Sequence, residues 1–192
     1  MSTPNVLASR YASAELAKIW SPEHKIVLER QLWIAVLKAQ KDLGIDTPDG
    51  VIEAYEAVID QVDLESIAAR ERITRHDVKA RIEEFAALAG SEHIHKGMTS
   101  RDLTENVEQL QVHASLIVVR NRAIAALVRL GRIAAENAEL VMAGRSHNVA
   151  AQATTLGRRF ARGADELMAG LGRVESLIGR YRIRGSKGPV GT

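Results

Sequence analysis

Apolar residues recur every three or four positions along most of this 192-residue chain, and alternating β-branched runs are absent. A repeat of that period puts apolar side chains on one face of an α-helix. The stretch 21–44 shows the full pattern, because Ser21 suits an N-cap, Pro22 suits the first helical turn and Gly44 suits a helix end. The pattern predicts an all-α fold.

Two long helices are predicted in the second half of the chain. One runs from about Leu103 to about Glu139, and another from about Thr154 to Tyr181, with a break at MAGRSHN between them. Helices of this length belong to bundles, and two of them cannot bury their apolar stripes against each other alone. We expect residues 98–192 to be the first, incomplete part of a central long-helix bundle domain.

Shorter helices are predicted in the first half. One of them has Thr74 at its cap and stops at Gly90. Others are predicted around VIEAYEAVI and DLESIAARE. We expect residues 1–97 to form an N-terminal helical domain.

Composition narrows the class of protein. The chain is 46% hydrophobic and has a net charge of +2, so it can form a core, and its mixed charges do not indicate nucleic acid. It has no cysteine, which excludes disulfide scaffolds, thiolate zinc sites and cysteine nucleophiles. The start of the chain does not resemble a signal peptide, and no uncharged apolar run could span a bilayer. We expect a cytoplasmic protein with no nucleic-acid or membrane partner.

One candidate for chemistry is His147, in the stretch GRSHNVAAQATT. An imidazole exchanges protons near neutral pH, and Ser146 or Gln152 could orient it or bind a substrate. A histidine held by a backbone carbonyl near a helix is the other interpretation, and the residue alone favours it.

A second candidate is TRHD, which brings Arg75, His76 and Asp77 to a predicted helix start. Free amides at a helix start attract anions, and Asp77 could fix the tautomer of an imidazole. An ordinary capping box with solvated side chains explains the same spacing equally well.

A third candidate is HIHKGMTSRD. Its alternate histidines, His93 and His95, lack a carboxylate at ligand spacing, so no metal site is predicted. Thr99 and Ser100 precede the long helix, where two hydroxyls and free amides can bind a carboxylate or phosphate. Simple N-capping is the better interpretation of their spacing alone.

The two ends of the chain carry weaker signals. Arg10 and Tyr11 could clamp a phosphate, although a surface arginine and a packed tyrosine are the simpler interpretation. The segment GSKGPVG lacks the spacing of a phosphate-binding P-loop, and no strand is predicted before it.

Taken in order, these stretches resemble the adenylosuccinate lyases, a family of the fumarase/aspartase superfamily. The similarity extends from RYAS and IWS (10–21) through TRHDV, GMTSRD and GRSH…TT to RGSKGPVGT (184–192). The resemblance implies a fumarase/aspartase-like helical fold and a β-elimination of fumarate from adenylosuccinate, giving AMP. It also implies the same reaction on the succinylated aminoimidazole carboxamide ribotide of purine biosynthesis, a homotetramer, and neither a metal nor an organic cofactor.

The resemblance also implies residue roles. His147 matches the family's general acid, which protonates the leaving nitrogen, and His76 matches a second active-site histidine with an acid or orienting role. Ser146 and Ala153 stand where the family has threonine and proline. The resemblance further implies that Arg10 and Tyr11 lie on the phosphate side and that Thr99 and Ser100 bind the succinyl carboxylate. Arg75 and Asp77 would position the substrate beside His76, His95 matches another active-site histidine, and Gln152 matches a polar residue that contacts the substrate.

The family's signature loop, of the type GSSxMPxKxN, carries the base serine and a phosphate-binding lysine. The 192 residues contain neither Met-Pro nor Ser-Ser. We therefore expect them to be the N-terminal portion of a longer enzyme, with negligible lyase activity by themselves. Two alternatives stay open: another lyase or cycloisomerase of the superfamily, and a non-catalytic helical interaction module.

Overall fold

α-Helices joined by one β-hairpin make up the regular structure of the chain, in a computed structural model that describes residues 5–191. The predicted mostly helical class is confirmed, and the hairpin is an addition to it. Within the described residues, no helix combines the length and apolar character that a membrane span needs. In chain order the elements are α1 (Val6–Tyr11), α2 (Ala14–Ile19), α3 (Pro22–Asp42), α4 (Val51–Ala57), α5 (Leu64–Thr74), α6 (Asp77–Ala89), α7 (Ser100–Glu136), β1 (Val141–Ser146), β2 (Val149–Thr155) and α8 (Leu156–Arg180).

The described residues form two compact units. Residues 5–112 and 182–191 form the first, residues 113–181 form the second, and α7 contributes to both. The domains predicted from the sequence, 1–97 and 98–192, have different bounds from these units and stay a prediction.

Helix boundaries in the first unit follow their capping residues. Ser21 Oγ accepts a hydrogen bond from His24 N at 3.2 Å, which confirms the predicted start of α3. The prediction that Thr74 caps α6 is wrong, because Thr74 still belongs to α5 and His76 takes the N-cap position. The cap of α6 is therefore an imidazole instead of a hydroxyl.

Aromatic side chains form the centre of the first unit. The Phe85 ring lies 6.3 Å from that of Trp33 and 4.8 Å from that of Tyr55, measured between centroids. The Tyr55 hydroxyl donates to the Ser91 carbonyl and accepts the His93 N–H, so its polar end is satisfied. The buried apolar residues of this core are Trp33, Ile34, Leu37, Ile52, Tyr55, Val78, Phe85, Ile94 and Leu103.

A buried ion pair joins α3 to α6 beside this core. Arg30 donates to both carboxylate oxygens of Glu84, at 2.9 and 2.6 Å, and neither side chain is more than 3% exposed. The same guanidinium donates to the carbonyls of Val58 and Ile59, which follow α4. One side chain of α3 therefore satisfies buried acceptors on α6 and after α4.

The β-hairpin lies in the second unit and was not expected. His147 and Asn148 close it with φ of 50° and 65°, and a two-residue type I′ turn needs positive φ at both positions. The sequence indicated only a break there, because the turn contains no glycine and the strands lack alternating β-branched residues. After the hairpin Thr155 caps α8, in agreement with the predicted helix start.

Replacing Arg30 should strongly destabilise the first unit. In Arg30→Met the Glu84 carboxylate and the carbonyls after α4 lose their buried donor, so we expect the free energy of unfolding to fall by about 3–5 kcal/mol. Lys38→Met removes the exposed pair with Glu56 and should cost less than about 1 kcal/mol. Denaturant unfolding of both variants measures the difference, and equal costs would contradict the role assigned to Arg30.

Candidate functional site

The corner between α5 and α6 carries three of the predicted site residues. Arg75 ends α5 in the left-handed region with a φ of 51°, and its N–H donates to the Glu71 carbonyl at 2.8 Å. His76 then returns to an extended conformation and begins α6. This sharp reversal presents the exposed side chains of Arg75, His76 and Asp77 at one helix start.

The His76 imidazole contacts two different elements. Its Nδ1 accepts the backbone N–H of Lys79 at 3.3 Å, so the single proton of the neutral ring resides on Nε2. Nε2 lies 3.4 Å from Ser100 Oγ at the start of α7. The structure therefore brings the TRHD and TSRD motifs together and fixes which imidazole nitrogen can donate.

The Asp77 carboxylate lies between His76 and Arg81. Its Oδ2 accepts from Arg81 at 2.8 Å, and its Oδ1 lies 3.5 Å from His76 Nδ1. Burial opposes ionisation of Asp77, but the hydrogen bonds from Arg81 and from the Val78 amide outweigh it and lower the pKa of this carboxyl. Asp77 is therefore a fixed negative charge next to the imidazole.

His95 lies in the loop before α7, partly buried. Its Nδ1 accepts the Trp33 indole N–H at 3.0 Å, and its φ is 66°. Burial lowers the pKa of His95, the charge of His76 acts in the same direction, and the nearby Asp102 opposes both. His95 therefore presents a neutral ring with its proton on Nε2. His93 has different partners, Ser91 and Tyr55, so the two histidines do not form a pair.

Asp102 is a residue whose role the sequence interpretation missed. This fully buried carboxylate accepts N–H groups of Thr99, Lys187 and Gly188 at 2.9–3.0 Å and pairs with Arg184 at 2.9 Å. Burial opposes ionisation, but these donors outweigh it and lower the pKa of Asp102. The spacing of Thr99 and Asp102, that of a capping box, is the signal that could have indicated it.

Asn106, one turn further along α7, extends this attachment. Its side chain exchanges two hydrogen bonds with the Gly185 backbone, at 2.9 and 3.0 Å. Together with Asp102 it holds the RGSKG segment against the start of α7, next to Thr99 and Ser100.

A cleft of about 790 Å³ opens beside His95 in the first unit. Its walls include His95 and the helix face of α6 that carries Lys79. This lining carries three cations, two carboxylates and a neutral imidazole, so it offers hydrogen-bond donors to anionic groups of a polar ligand. The charged and imidazole side chains that line the cleft are Arg70, Lys79, Glu83, Glu92, His95 and Lys96.

The other predicted site residues belong to other elements. Arg10 and Tyr11 are exposed on α1, and no hydrogen bond or ion pair in residues 5–191 connects them to the corner between α5 and α6. His147 and Gln152 belong to the second unit, His147 in the hairpin turn and Gln152 on β2 opposite Gly144. Gln152 lines a groove of about 440 Å³ with Arg158, Arg159 and Arg162.

Backbone strain coincides with the predicted site. Within residues 5–191, the non-glycine residues with positive φ are Arg75, His95, His147 and Asn148. A left-handed conformation costs a non-glycine residue about 1–2 kcal/mol. Three of the four are predicted site residues, and strained residues concentrate at functional sites.

The sequence model of a lyase family matches residues 10–192, and the chain belongs to this family. An adenylosuccinate lyase of Schistosoma mansoni is 35% identical over 98% of this chain and 40% of its own length. The N-acetyl-S-(2-succino)cysteine lyase of Dickeya dadantii is 27% identical over 97% of this chain and 42% of its own length. The chain thus spans about two fifths of these curated relatives.

A solved structure of the same fold is the β-carboxy-cis,cis-muconate cycloisomerase of Acinetobacter calcoaceticus sp. ADP1. It superimposes with a TM-score of 0.85 over 98% of this chain and 46% of its own, at 22% identity. At that identity the likeness concerns the fold, and it agrees with the predicted fumarase/aspartase-like architecture.

Removing the charge of Asp102 should release the segment that follows α8. In Asp102→Asn we expect amide exchange of Lys187 and Gly188 to accelerate about 10-fold or more, since hydrogen bonds to a charged group are worth about 1.5–3 kcal/mol. Because the pKa of Asp102 is lowered, its contribution is present above the ordinary carboxyl pKa and is lost as the pH falls through the lowered value. Asp49→Asn, on an exposed loop, is the control. Unchanged protection in Asp102→Asn would contradict the attachment.

Relieving the strain at Arg75 should stabilise the chain relative to a matched variant. Glycine tolerates a φ of 51° and alanine does not, so Arg75→Gly should unfold with a free energy about 1 kcal/mol higher than Arg75→Ala. Both variants lose the exposed guanidinium, so chemical denaturation isolates the backbone. An alanine variant as stable as the glycine variant would mean that no strain is stored there.

Proposed function

We propose that the protein of which these residues form part is an adenylosuccinate lyase of purine nucleotide biosynthesis. It eliminates fumarate from adenylosuccinate to give AMP, and from the succinylated aminoimidazole carboxamide ribotide. The observation that carries the proposal is the contact between the TRHD and TSRD motifs, where His76 Nε2 lies 3.4 Å from Ser100 Oγ. The 35% identity to an adenylosuccinate lyase over nearly the whole chain supports the same substrate.

The elimination needs a base that removes a proton beside a carboxylate and an acid that protonates the departing nitrogen. His147, exposed at the hairpin turn, is the acid in this proposal. His76 donates its Nε2 hydrogen to the substrate and orients it. The 192 residues contain no counterpart of the family's serine-rich signature loop, so the base comes from residues outside them.

The remaining residues of the proposed site bind or position the anionic substrate. Thr99 and Ser100 bind the succinyl carboxylate with hydroxyls at the N-terminus of α7, where the helix dipole favours negative charge. Arg75 and Asp77 flank His76 and position the substrate, His95 is another residue of the site, and Gln152 contacts the substrate. Arg10 and Tyr11 bind the phosphate side. Arg70 and Lys96, in the cleft next to His95, are cations that support an anionic substrate.

We further propose that the enzyme is a cytoplasmic homotetramer. Apolar side chains of the predicted α7 stripe support self-association, because Ile124 and Val128 are 41% and 58% exposed. Met168 on α8 is 57% exposed. Ile124 and Val128 are one turn apart on α7, and exposed apolar patches mark interaction surfaces.

A second candidate substrate is an S-succinylated cysteine, which the relative in Dickeya dadantii favours. Cleavage would then break a C–S bond and release a thiol in place of an amine. The acid would matter less, because a thiolate leaves more readily than an amine nitrogen.

The proposal is tested by measuring fumarate release from adenylosuccinate and from an S-succinylated cysteine by the full-length protein. We expect turnover of adenylosuccinate, and His76→Gln and His147→Gln should each lower kcat by about 10²–10⁴-fold, as removal of a proton-transfer group does. His113→Gln, on α7 and outside the four motifs in sequence, should leave kcat within about 3-fold of wild type. The 192 residues alone should release no fumarate.

Two results would reject this function. One is turnover of only the S-succinyl substrate, which would favour the second candidate. The other is absence of turnover of either substrate, which is the result expected of a non-catalytic helical module. Turnover with an unchanged kcat in both histidine variants would contradict the roles given to His76 and His147.

A further inference from the structure

Arg81, on α6, connects the candidate site to a buried carboxylate on α3. We propose that Arg81, anchored on Glu29, is a positioning residue that sets the ring tautomer of His76 through Asp77. The catalytic consequence rests on the proposed function, whereas the structural consequence for the His76 ring does not.

The Arg81 guanidinium lies between two carboxylates, hydrogen-bonded to Asp77 and in close ionic contact with Glu29. Its Nε lies 2.6 Å from Glu29 Oε2, and one terminal nitrogen lies 2.8 Å from Asp77 Oδ2. The Arg81 side chain is only 12% exposed, whereas that of Asp77 is 51% exposed. A planar, well-packed cation thus holds a carboxylate that would otherwise rotate in solvent.

Burying the Glu29 carboxylate, which contacts Arg81, costs free energy. Its side chain is fully buried, and in the described chain neither of its oxygens accepts a hydrogen bond from another residue. Burial raises the pKa of Glu29 to about 7. The positive charges of Arg81 and Lys25 oppose this rise, whereas the negative charge of Asp77 adds to it. A buried ion pair is weak evidence for stability, and its better-attested use is to specify one arrangement of the groups around it.

The ion pair of Arg81 with Glu29 determines what surrounds His76 Nδ1. With Asp77 Oδ2 bound to Arg81, Oδ1 stays 3.5 Å from Nδ1, and Nδ1 accepts the Lys79 amide. If Arg81 no longer held it, the Asp77 carboxylate could approach Nδ1 of His76 and favour the tautomer with the proton on Nδ1. A protonated Nδ1 cannot accept the Lys79 amide, so the helix cap would be lost. Nε2 would then face Ser100 as an acceptor and could no longer donate.

The tautomer of His76 is measured directly by ¹⁵N NMR of histidine-labelled full-length protein at about pH 8, where an unperturbed imidazole is neutral. His76→Gln identifies the signals. We expect the Nε2–H form in the wild type and a rise of the Nδ1–H form in Arg81→Gln and in Glu29→Gln. The double variant Arg81→Gln/Asp77→Asn should return to the Nε2–H form, because the carboxylate that draws the proton is gone.

Glu83→Gln is the matched control. It removes another ion pair of α6, with Lys79, and should leave the His76 signals unchanged. If Arg81→Gln does not fold, the near-isosteric Glu29→Gln still decides the question. An Nε2–H form retained in every folded variant would overturn the proposal, as would a shift that persists in the double variant.

Kinetics of the same variants connect the tautomer to the reaction. Arg81→Gln should lower kcat by about 10–100-fold, as misplacement of a reacting group does, with KM changed less than about 3-fold. Arg81→Lys should recover part of the loss, since an ammonium can still hold Asp77. A protein that does not cleave adenylosuccinate would reject the proposed function, while the NMR comparison would still decide the role of Arg81. A rise in KM alone would contradict positioning.

Discussion

The buried carboxylate of Asp102 is the group on which the first unit's site depends. It accepts the amide of Thr99, two amides of the segment after α8 and a guanidinium nitrogen of Arg184. A buried charge is tolerated only with such partners, so the Asp102 carboxylate requires all of these donors. The start of α7 and a segment more than eighty residues further along the chain are thereby held together, and Ser100 is presented to His76.

Rigid elements around that carboxylate explain why a half-exposed histidine has a defined geometry. His76 is at once a helix cap, a neighbour of Asp77 and a contact of Ser100. The helix that it caps is fixed to α3 by two buried ion pairs, Arg30 with Glu84 and Arg81 with Glu29. Because these pairs cost free energy to bury, they are better understood as constraints on geometry than as sources of stability.

Much of the fold followed from the sequence. Periodicity predicted the long helices, and Ser21 and Gly90 marked helix ends correctly. The hairpin at 141–155 was missed, since its turn uses His147 and Asn148 in place of glycine. The cap of α6 was assigned to Thr74 because hydroxyls are the common caps, and only the length of α5 shows that His76 takes this position.

For the site, the sequence by itself determined which residue types occur and in what order, and the ordered motifs were enough to indicate a lyase family. It could not determine that His76 meets Ser100, that Asp102 holds Lys187 and Gly188, or that Glu29 anchors Arg81. Local patterns report helix periodicity and caps, which depend on residues a few positions apart. Contacts between residues 24 to 86 positions apart, and the protonation that burial imposes on them, were decided only by tertiary packing.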